Sequence, residues 1–408
     1  MARLAQLPPE LLLCIIQHAD KPSLESLRTA CRSLSTFATL ELFKTVTLGV
    51  TERSHTGLES ILEHPVLRSC VRKLWVDTVD WRPDLVSEPD HGSGPEMYER
   101  RSVIDYLPRR FVNLMLRLKE FVNLRHVILC FEYGSDLSPD LNLDPDSCDE
   151  MFRFFLSSVR TLGQLLLGLG LHNLQYINLD DEDTTMLNQV LGNLTSLRLH
   201  VHDVVEGPDI YDRFFTLCSQ LPSVWLKPAS STLRHLALYS SLNLGFGPKL
   251  DLRGVRFPHL ESLELGQFCF FCDSQLDWIL SHRSTLRELS LDCCSIFCQV
   301  PVGGDYRAMA ETRVPYGKRW HDYFRAFEGG LPHLRHFRYG ISSVWDDFGG
   351  VPPEKEYTME IELYRHRYGM LFWANGTYQY PHCRDEDERA LEQLLRKTGS
   401  GNDQVWVV

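Results

Sequence analysis

No apolar run in the sequence is long enough to cross a bilayer. The longest, Leu162 to Leu171, is broken by Gly163, Gln164 and Gly168 and falls short of the roughly 20 residues a spanning helix needs. A secretory leader is not expected either: Met1-Ala2-Arg3-Leu4-Ala5-Gln6 runs directly into Leu7-Pro8-Pro9-Glu10 without a basic, an apolar and a small-residue region in succession. Lys and Arg form no dense cluster, and a formal net charge of -12 repels a phosphate backbone. A P-loop, a dinucleotide fingerprint and a His-Glu-x-x-His pair are all missing, and the 16 histidines are scattered without local catalytic pairing. Neither a membrane nor nucleic acid is therefore an expected partner, and a cytoplasmic and/or nuclear protein is expected.

What is present is ordinary for a folded chain. Over 408 residues, 43% are hydrophobic and 24% charged, values that permit a real core and argue against wholesale disorder. The length suits a couple of domains, or one small domain followed by a repeat array. The 12 cysteines are expected as reduced thiols, because nothing places the chain in an oxidising compartment.

The N-terminus reads as a cluster of short helices. Pro8 and Pro9 suit a first helical turn, where a missing N–H costs nothing, and Glu10 meets the positive end of the helix dipole. Leu11, Leu12, Ile15 and Ile16 then recur at helical spacing up to Asp20-Lys21-Pro22. Ser23 is the expected cap of a second helix carrying Leu24, Leu27, Cys31 and Leu34. A third short helix carries Phe37 and Leu40, and Leu42-Phe43 followed by Val46 and Leu48 reads as an exit strand. Three helices in under fifty residues enclose little core, so part of this apolar surface is expected to await another chain.

The residues Leu7-Pro8-Pro9-Glu10-Leu11-Leu12-x-x-Ile15, then Ser23-Leu24-x-x-Leu27-Arg28-x-x-Cys31-Arg32-x-Leu34, closely resemble the F-box family. The resemblance covers residues 5 to about 48. Departures are Ala19, where the family has a large apolar residue, Leu34, where tryptophan is common, and Phe43 near the exit. The resemblance implies that Leu7, Pro8, Glu10, Leu11, Ile15, Leu24, Leu27, Arg28, Cys31 and Arg32 face or frame a Skp-type adaptor, itself joined to a cullin scaffold.

Beyond the helices the chain repeats itself. The pattern L-x-x-L-x-L appears as Leu233-x-x-Leu236-x-Leu238, Leu260-x-x-Leu263-x-Leu265 and Leu286-x-x-Leu289-x-Leu291, spaced 27 and 26 residues apart, which are leucine-rich-repeat periods. Weaker copies begin at Val71, Leu124, Leu174, Leu194 and Leu334, giving eight candidate strands at irregular spacing. Helices are expected between them, over Phe152 to Leu166, Tyr211 to Leu221, Leu276 to Leu280 behind a cap at Asp273 or Ser274, and Trp320 to Phe327. This part is similar to the leucine-rich-repeat arrays that follow F-boxes in many fungal proteins. Near the end, Asp385-Glu386-Asp387-Glu388 precedes Leu391, Leu394, Leu395 and Gly399, a helix with an acidic start and a glycine stop. Loops are expected at Val79 to Arg100, Ser135 to Asp149, Pro301 to Lys318 and Gly349 to Lys355.

Chemistry has few candidates. Cys269-x-x-Cys272 with Cys293, Cys294 and Cys298 has thiolates that could share a zinc ion. Their spacing instead belongs to adjacent repeats, and Cys294 falls at the turn position where such repeats place asparagine or cysteine. Neither a metal nor a cofactor is expected. The outward residues of the strands, His235, Tyr239, Ser262, Glu264, Glu288, Asp292, His336 and Arg338, are expected to line a face that binds a target protein.

The expected fold class is α/β, with a small three-helix F-box over residues 1–50, an irregular leucine-rich-repeat solenoid of parallel strands plus helices over 51–345, and a C-terminal segment with a capping helix over 346–408. The resemblance implies a non-catalytic substrate-recognition subunit of a Skp-cullin-F-box ubiquitin ligase, with a target that the sequence does not name. The alternatives are an F-box scaffold that delivers no ubiquitin, and an enzyme hidden in the array.

Overall fold

The computed structural model describes residues 7–78, 107–131, 145–202, 208–246, 249–301, 313–342, 359–361, 363, 367–369 and 381–400. The chain forms two compact units, Met1–Gly170 and Leu171–Val408. Both are built of strands and helices, and the sheet is mostly parallel.

The first unit opens with three helices, α1 (Pro9–Gln17), α2 (Lys21–Ala30) and α3 (Arg32–Leu42). The second begins earlier than a cap at Ser23 requires. Asp20 is the cap, its carboxylate accepting the Ser23 N–H at 3.0 Å, and Pro22 is tolerated in the first turn because its missing donor would have no partner there. The apolar series from Leu24 to Leu34 also spans two helices rather than one. Cys31 is fully extended and the helix restarts at Arg32, so Leu34 belongs to α3. A period that runs almost unbroken across the break conceals it in the sequence. The small core holds Ile16, Leu24 and Ala38, edged by Ala19, Leu27, Phe37 and Leu42.

Among the described residues of this unit the helices α4 (Glu52–Glu63), α5 (Pro65–Cys70), α6 (Arg109–Leu116) and α7 (Pro145–Arg160) follow. The strands β1 (Thr45–Gly49), β2 (Lys73–Asp77) and β3 (His126–Cys130) pair in parallel in that order. Their register aligns Val46, Leu74 and Val127 in one buried row and Leu48, Val76 and Leu129 in another.

In β4 (Gly168–Leu174) the chain passes from the first unit to the second. The strand expected at Leu174-x-x-Ile177-x-Leu179 is not formed; residues 175–180 are irregular and β4 takes its place. The cause is the neighbouring strand. A Cβ at Gly168 would meet the His126 ring at 2.1 Å and one at Gly170 would meet Ile128 at 2.9 Å. A segment with glycine at these two positions fits beside β3, and it carries the leucine pattern in its own right, as Leu166-x-x-Leu169-x-Leu171, with all three leucines buried.

The second unit carries β5 (Ser196–Val201), β6 (His235–Leu244), β7 (Ser262–Phe270), β8 (Glu288–Asp292), β9 (Ser295–Phe297), β10 (Gln299–Pro301), β11 (Arg313–Pro315), β12 (His336–Ser342), β13 (Met359–Ile361) and β14 (Tyr368–Gly369). Its helices are α8 (Asp181–Leu191), α9 (Pro208–Gln220), α10 (Asp273–Leu280), α11 (Trp320–Gly330) and α12 (Arg384–Thr398). Strands β5, β6, β7, β8 and β12 pair side by side in parallel, and β13 pairs antiparallel with β12.

The leucine pattern explains the register. Leu197, Leu236, Leu263, Leu289 and Phe337 form one row across the strands, and Leu199, Leu238, Leu265, Leu291 and Tyr339 another. All ten are buried, and each fully buried leucine contributes on the order of 1.5–3 kcal/mol by leaving water. A repeating backbone bond holds the strand starts together, from Glu261 N–H to Arg234 O, Arg287 N–H to Glu261 O and Arg335 N–H to Arg287 O, at 2.7–2.8 Å.

The C-terminal helix has its acidic start and its glycine stop. Gly399 sits at φ +70, and the Ser400 N–H returns to the Leu395 carbonyl at 3.0 Å. It packs on α11. The cap of α10 is Cys272 rather than Asp273 or Ser274, with Gln275 reaching back to the Cys272 N–H. Of the expected loops, Val79 to Arg100 and Gly349 to Lys355 lie outside the described residues. Pro145 to Asp149 forms the first turn of α7, and residues 313–315, within the Pro301 to Lys318 loop, pair antiparallel with β10. Among the described residues no helix is long and apolar enough to cross a membrane.

Candidate functional site

In the N-terminal helices the ten residues expected to meet an adaptor divide by burial. Leu24 is buried and Leu7 and Leu27 are half-buried, while Pro8, Glu10, Leu11, Ile15, Arg28, Cys31 and Arg32 are exposed. Helix α1 is apolar on two sides. Leu12 and Ile16 enter the core, whereas Leu11 (53% exposed) and Ile15 (43%) stand one helical turn apart in solvent. Leu13 and Leu40 are exposed as well. Single exposed leucines are commonplace, but several on one short helix mark a contact surface. The Arg28 guanidinium lies 5.2 Å from the centre of the Phe43 ring, a cation–π contact that fixes its position beside the exit strand.

In the second unit, register gathers the eight expected target-facing residues into three neighbouring rows. The first is His235, Ser262, Glu288 and His336; the second is Ala237, Glu264, Ser290 and Arg338; the third is Tyr239, Gly266, Asp292 and Gly340. His235 and His336 are exposed, and Tyr239, Glu264, Glu288 and Arg338 are half-buried. Two of the eight do not reach solvent. Ser262 is buried because its short side chain lies between His235 and Glu288. Asp292 is buried because it accepts hydrogen bonds from the Ser342 N–H, at 2.9 Å, and from the Ser342 hydroxyl, bracing β8 to the end of β12.

One partner in these rows escapes a sequence reading. Arg198, on β5, reaches past Ala237 to Glu264 at 2.8 Å and lies 5.7 Å from the centre of the Tyr239 ring. The Tyr239 hydroxyl donates to the same carboxylate at 3.3 Å. Burial, followed by the nearby Glu264 and Asp292 carboxylates, holds the Tyr239 phenol well above its ordinary pKa. The Tyr239 ring lies over Gly266, where a Cβ would come within 2.2 Å of it. The signal available in the sequence was positional: Arg198 occupies the outward slot of the weaker repeat Leu194-x-x-Leu197-x-Leu199.

Three of the five clustered cysteines have separate hydrogen-bond partners. Cys269 pairs with the Ser295 hydroxyl at 2.9 Å, Cys294 donates to the Leu265 carbonyl at 3.2 Å, and Cys272 pairs with the Ser274 hydroxyl at 3.2 Å. Burial raises the Cys269 and Cys293 thiols to about 12, which keeps them protonated and unreactive in this state.

Among the described residues, His, Cys and Asp side chains converge at one place, His321, Cys383 and Asp387. Asp387 is fully buried. Its carboxylate accepts the His321 backbone N–H at 3.0 Å and the Tyr368 hydroxyl at 2.8 Å, lies 2.9 Å from His321 Nδ1, and is paired with the Arg367 guanidinium at 3.2 Å. With its lone pairs taken by donors and a guanidinium alongside, the carboxylate is already neutralised, and a divalent ion would have to displace all of them. It ties α12 to the start of α11. Its residue type and its place in an acidic run give no hint of burial.

No family model and no curated protein matches the chain.

Proposed function

We propose that this protein is a substrate-recognition subunit of a Skp-cullin-F-box ubiquitin ligase. In this reading α1 to α3 dock on a Skp-type adaptor and the leucine-patterned strands of the second unit present a face to a target protein. The parallel strands with intervening helices then constitute a degenerate leucine-rich-repeat solenoid.

The observation that carries the proposal is the second apolar side of α1. Leu11 and Ile15 are not needed by the core of Ile16, Leu24 and Ala38, yet they stand in water at the positions where the F-box resemblance implies adaptor contact. Burying two such side chains contributes a few kcal/mol, enough to matter in an interface. The receptor needs no catalytic group, because holding a target near the transfer enzyme raises its effective concentration.

Reconstitution tests this reading and separates it from a scaffold role. The full chain mixed with a Skp-type adaptor and a neddylated cullin is expected to elute as one assembly. An assembly with the adaptor that excludes the cullin would favour a scaffold, and failure to bind the adaptor would overturn the proposal.

A further inference from the structure

The second unit contains a cleft of about 180 Å³ that the proposed function does not use. Its walls are Leu250, Leu252, Phe268, Phe270, Trp278 and Ile279, from the segment after β6, from β7 and from α10. The polar groups inside are paired among themselves. The Gln275 carbonyl accepts the Phe271 N–H at 2.8 Å and its amide donates to the Cys269 carbonyl at 3.2 Å; the Trp278 indole donates to the Val255 carbonyl at 2.8 Å. What is left to a visitor is mostly apolar surface, with a polar part at Lys249, Asp251, Arg253 and Ser274.

Size decides what kind of visitor. Pockets for cofactors and drug-sized ligands run to roughly 300–1,000 Å³, well above this cleft. A single bulky side chain is the right scale, and buried anchors of that kind dominate protein interfaces.

The rim decides its neighbours. Lys249, Asp251 and Arg253 stand at the mouth, and Arg253 grips Asp251 through both carboxylate oxygens at 2.5–3.2 Å. That pair is self-neutralising. Lys249 forms no close ion pair among the described residues but attracts the same Asp251 carboxylate at longer range, so the three residues together leave the mouth with one net positive charge on a chain whose formal net charge is -12.

We propose that this cleft is an anchor pocket that takes one leucine- or phenylalanine-sized side chain from an extended segment of a bound protein, with an acidic residue beside it meeting Lys249. The proposal rests on the receptor reading and deepens it. Target specificity would then reside in a short acidic-apolar motif as well as in the outward strand rows.

Cys272 supplies the readout. It lines the cleft and is half-buried, whereas the exposed Cys14 and Cys31 lie in the first unit and serve as internal controls. The full chain in complex with the adaptor, or alone if none binds, is alkylated with iodoacetamide and each cysteine is followed by mass spectrometry. The probes are the acetylated, amidated peptides Asp-Asp-Phe-Asp-Asp, Asp-Asp-Ala-Asp-Asp and Lys-Lys-Phe-Lys-Lys, at millimolar concentration. The acidic phenylalanine peptide is expected to slow alkylation of Cys272 at least threefold while leaving Cys14 and Cys31 unchanged, and the other two peptides to have no effect. Lys249→Glu should reverse the charge preference, and Ser274→Trp, at the edge of the cleft, should abolish protection while adaptor binding persists. Equal protection by the alanine peptide, or none by the phenylalanine peptide, overturns the pocket. Loss of adaptor binding with intact Cys272 protection would instead count against the receptor reading alone.

Discussion

The Asp387 carboxylate, with no surface left to solvent, accepts the His321 backbone N–H at 3.0 Å and sits 2.9 Å from the same residue's ring nitrogen. One side chain of α12 thereby completes the first turn of α11, 66 residues earlier in the chain. Asp387→Asn keeps the shape but leaves the Arg367 cation buried without its counter-charge. Breaking a buried pair in this way costs about 3–5 kcal/mol. Guanidinium denaturation should show a loss of that size; a loss below about 1 kcal/mol would mean the pair is not structural.

Tyr239 and Gly266 form a second coupled pair. A methyl group at Gly266 would sit 2.2 Å from the tyrosine ring, so Gly266→Ala forces the ring off the sheet, at a cost of about 1–3 kcal/mol. In a double-mutant cycle with Tyr239→Ala, most of that cost should disappear. An unchanged penalty in the double variant would show that the strain lies in the backbone.

Acid should weaken the second unit through its histidines. Burial depresses His200 to about 4 and His202 to about 3, assisted by Arg198 in the first case and by His200 in the second. Their folded pKa values lie below the unfolded value of about 6.5, so the unfolded chain takes up protons that the folded chain refuses. Stability is therefore fully present above pH 6.5 and is lost as pH falls toward 4, by up to about 1.4 kcal/mol per pH unit for each histidine. His202→Gln should lose about 2 kcal/mol less than the native chain between pH 7 and pH 5, measured from urea midpoints. Identical pH profiles would contradict the assignment.

The sequence was most readable where one physical rule acts alone. The leucine pattern at Leu236, Leu263 and Leu289 reports burial in a strand directly, and each of these residues is buried at its expected register. Gly399 ended α12 because the left-handed turn there favours a residue without a Cβ. Legibility failed where a distant neighbour sets the rule. Nothing near Gly168 and Gly170 announces that His126 and Ile128 will occupy their side-chain space. Asp292 and Asp387 are hydrophilic by type and buried by partnership, through Ser342 in one case and Arg367, Tyr368 and His321 in the other. Among the rows on the strand face, the outward slot of Glu264 is legible from its own repeat, whereas its partner Arg198 lies 66 residues away.

Adaptor binding by a surface variant of α1 tests the account at its centre. Leu11→Asp places a charge on a side chain that is 53% exposed, so the fold should survive with its melting temperature within a few degrees of the native chain. Affinity for a Skp-type adaptor, measured by isothermal titration calorimetry, should fall at least a hundredfold, on the order of 3 kcal/mol. Unaltered affinity in the folded variant, or no measurable binding by the native chain, would contradict the account.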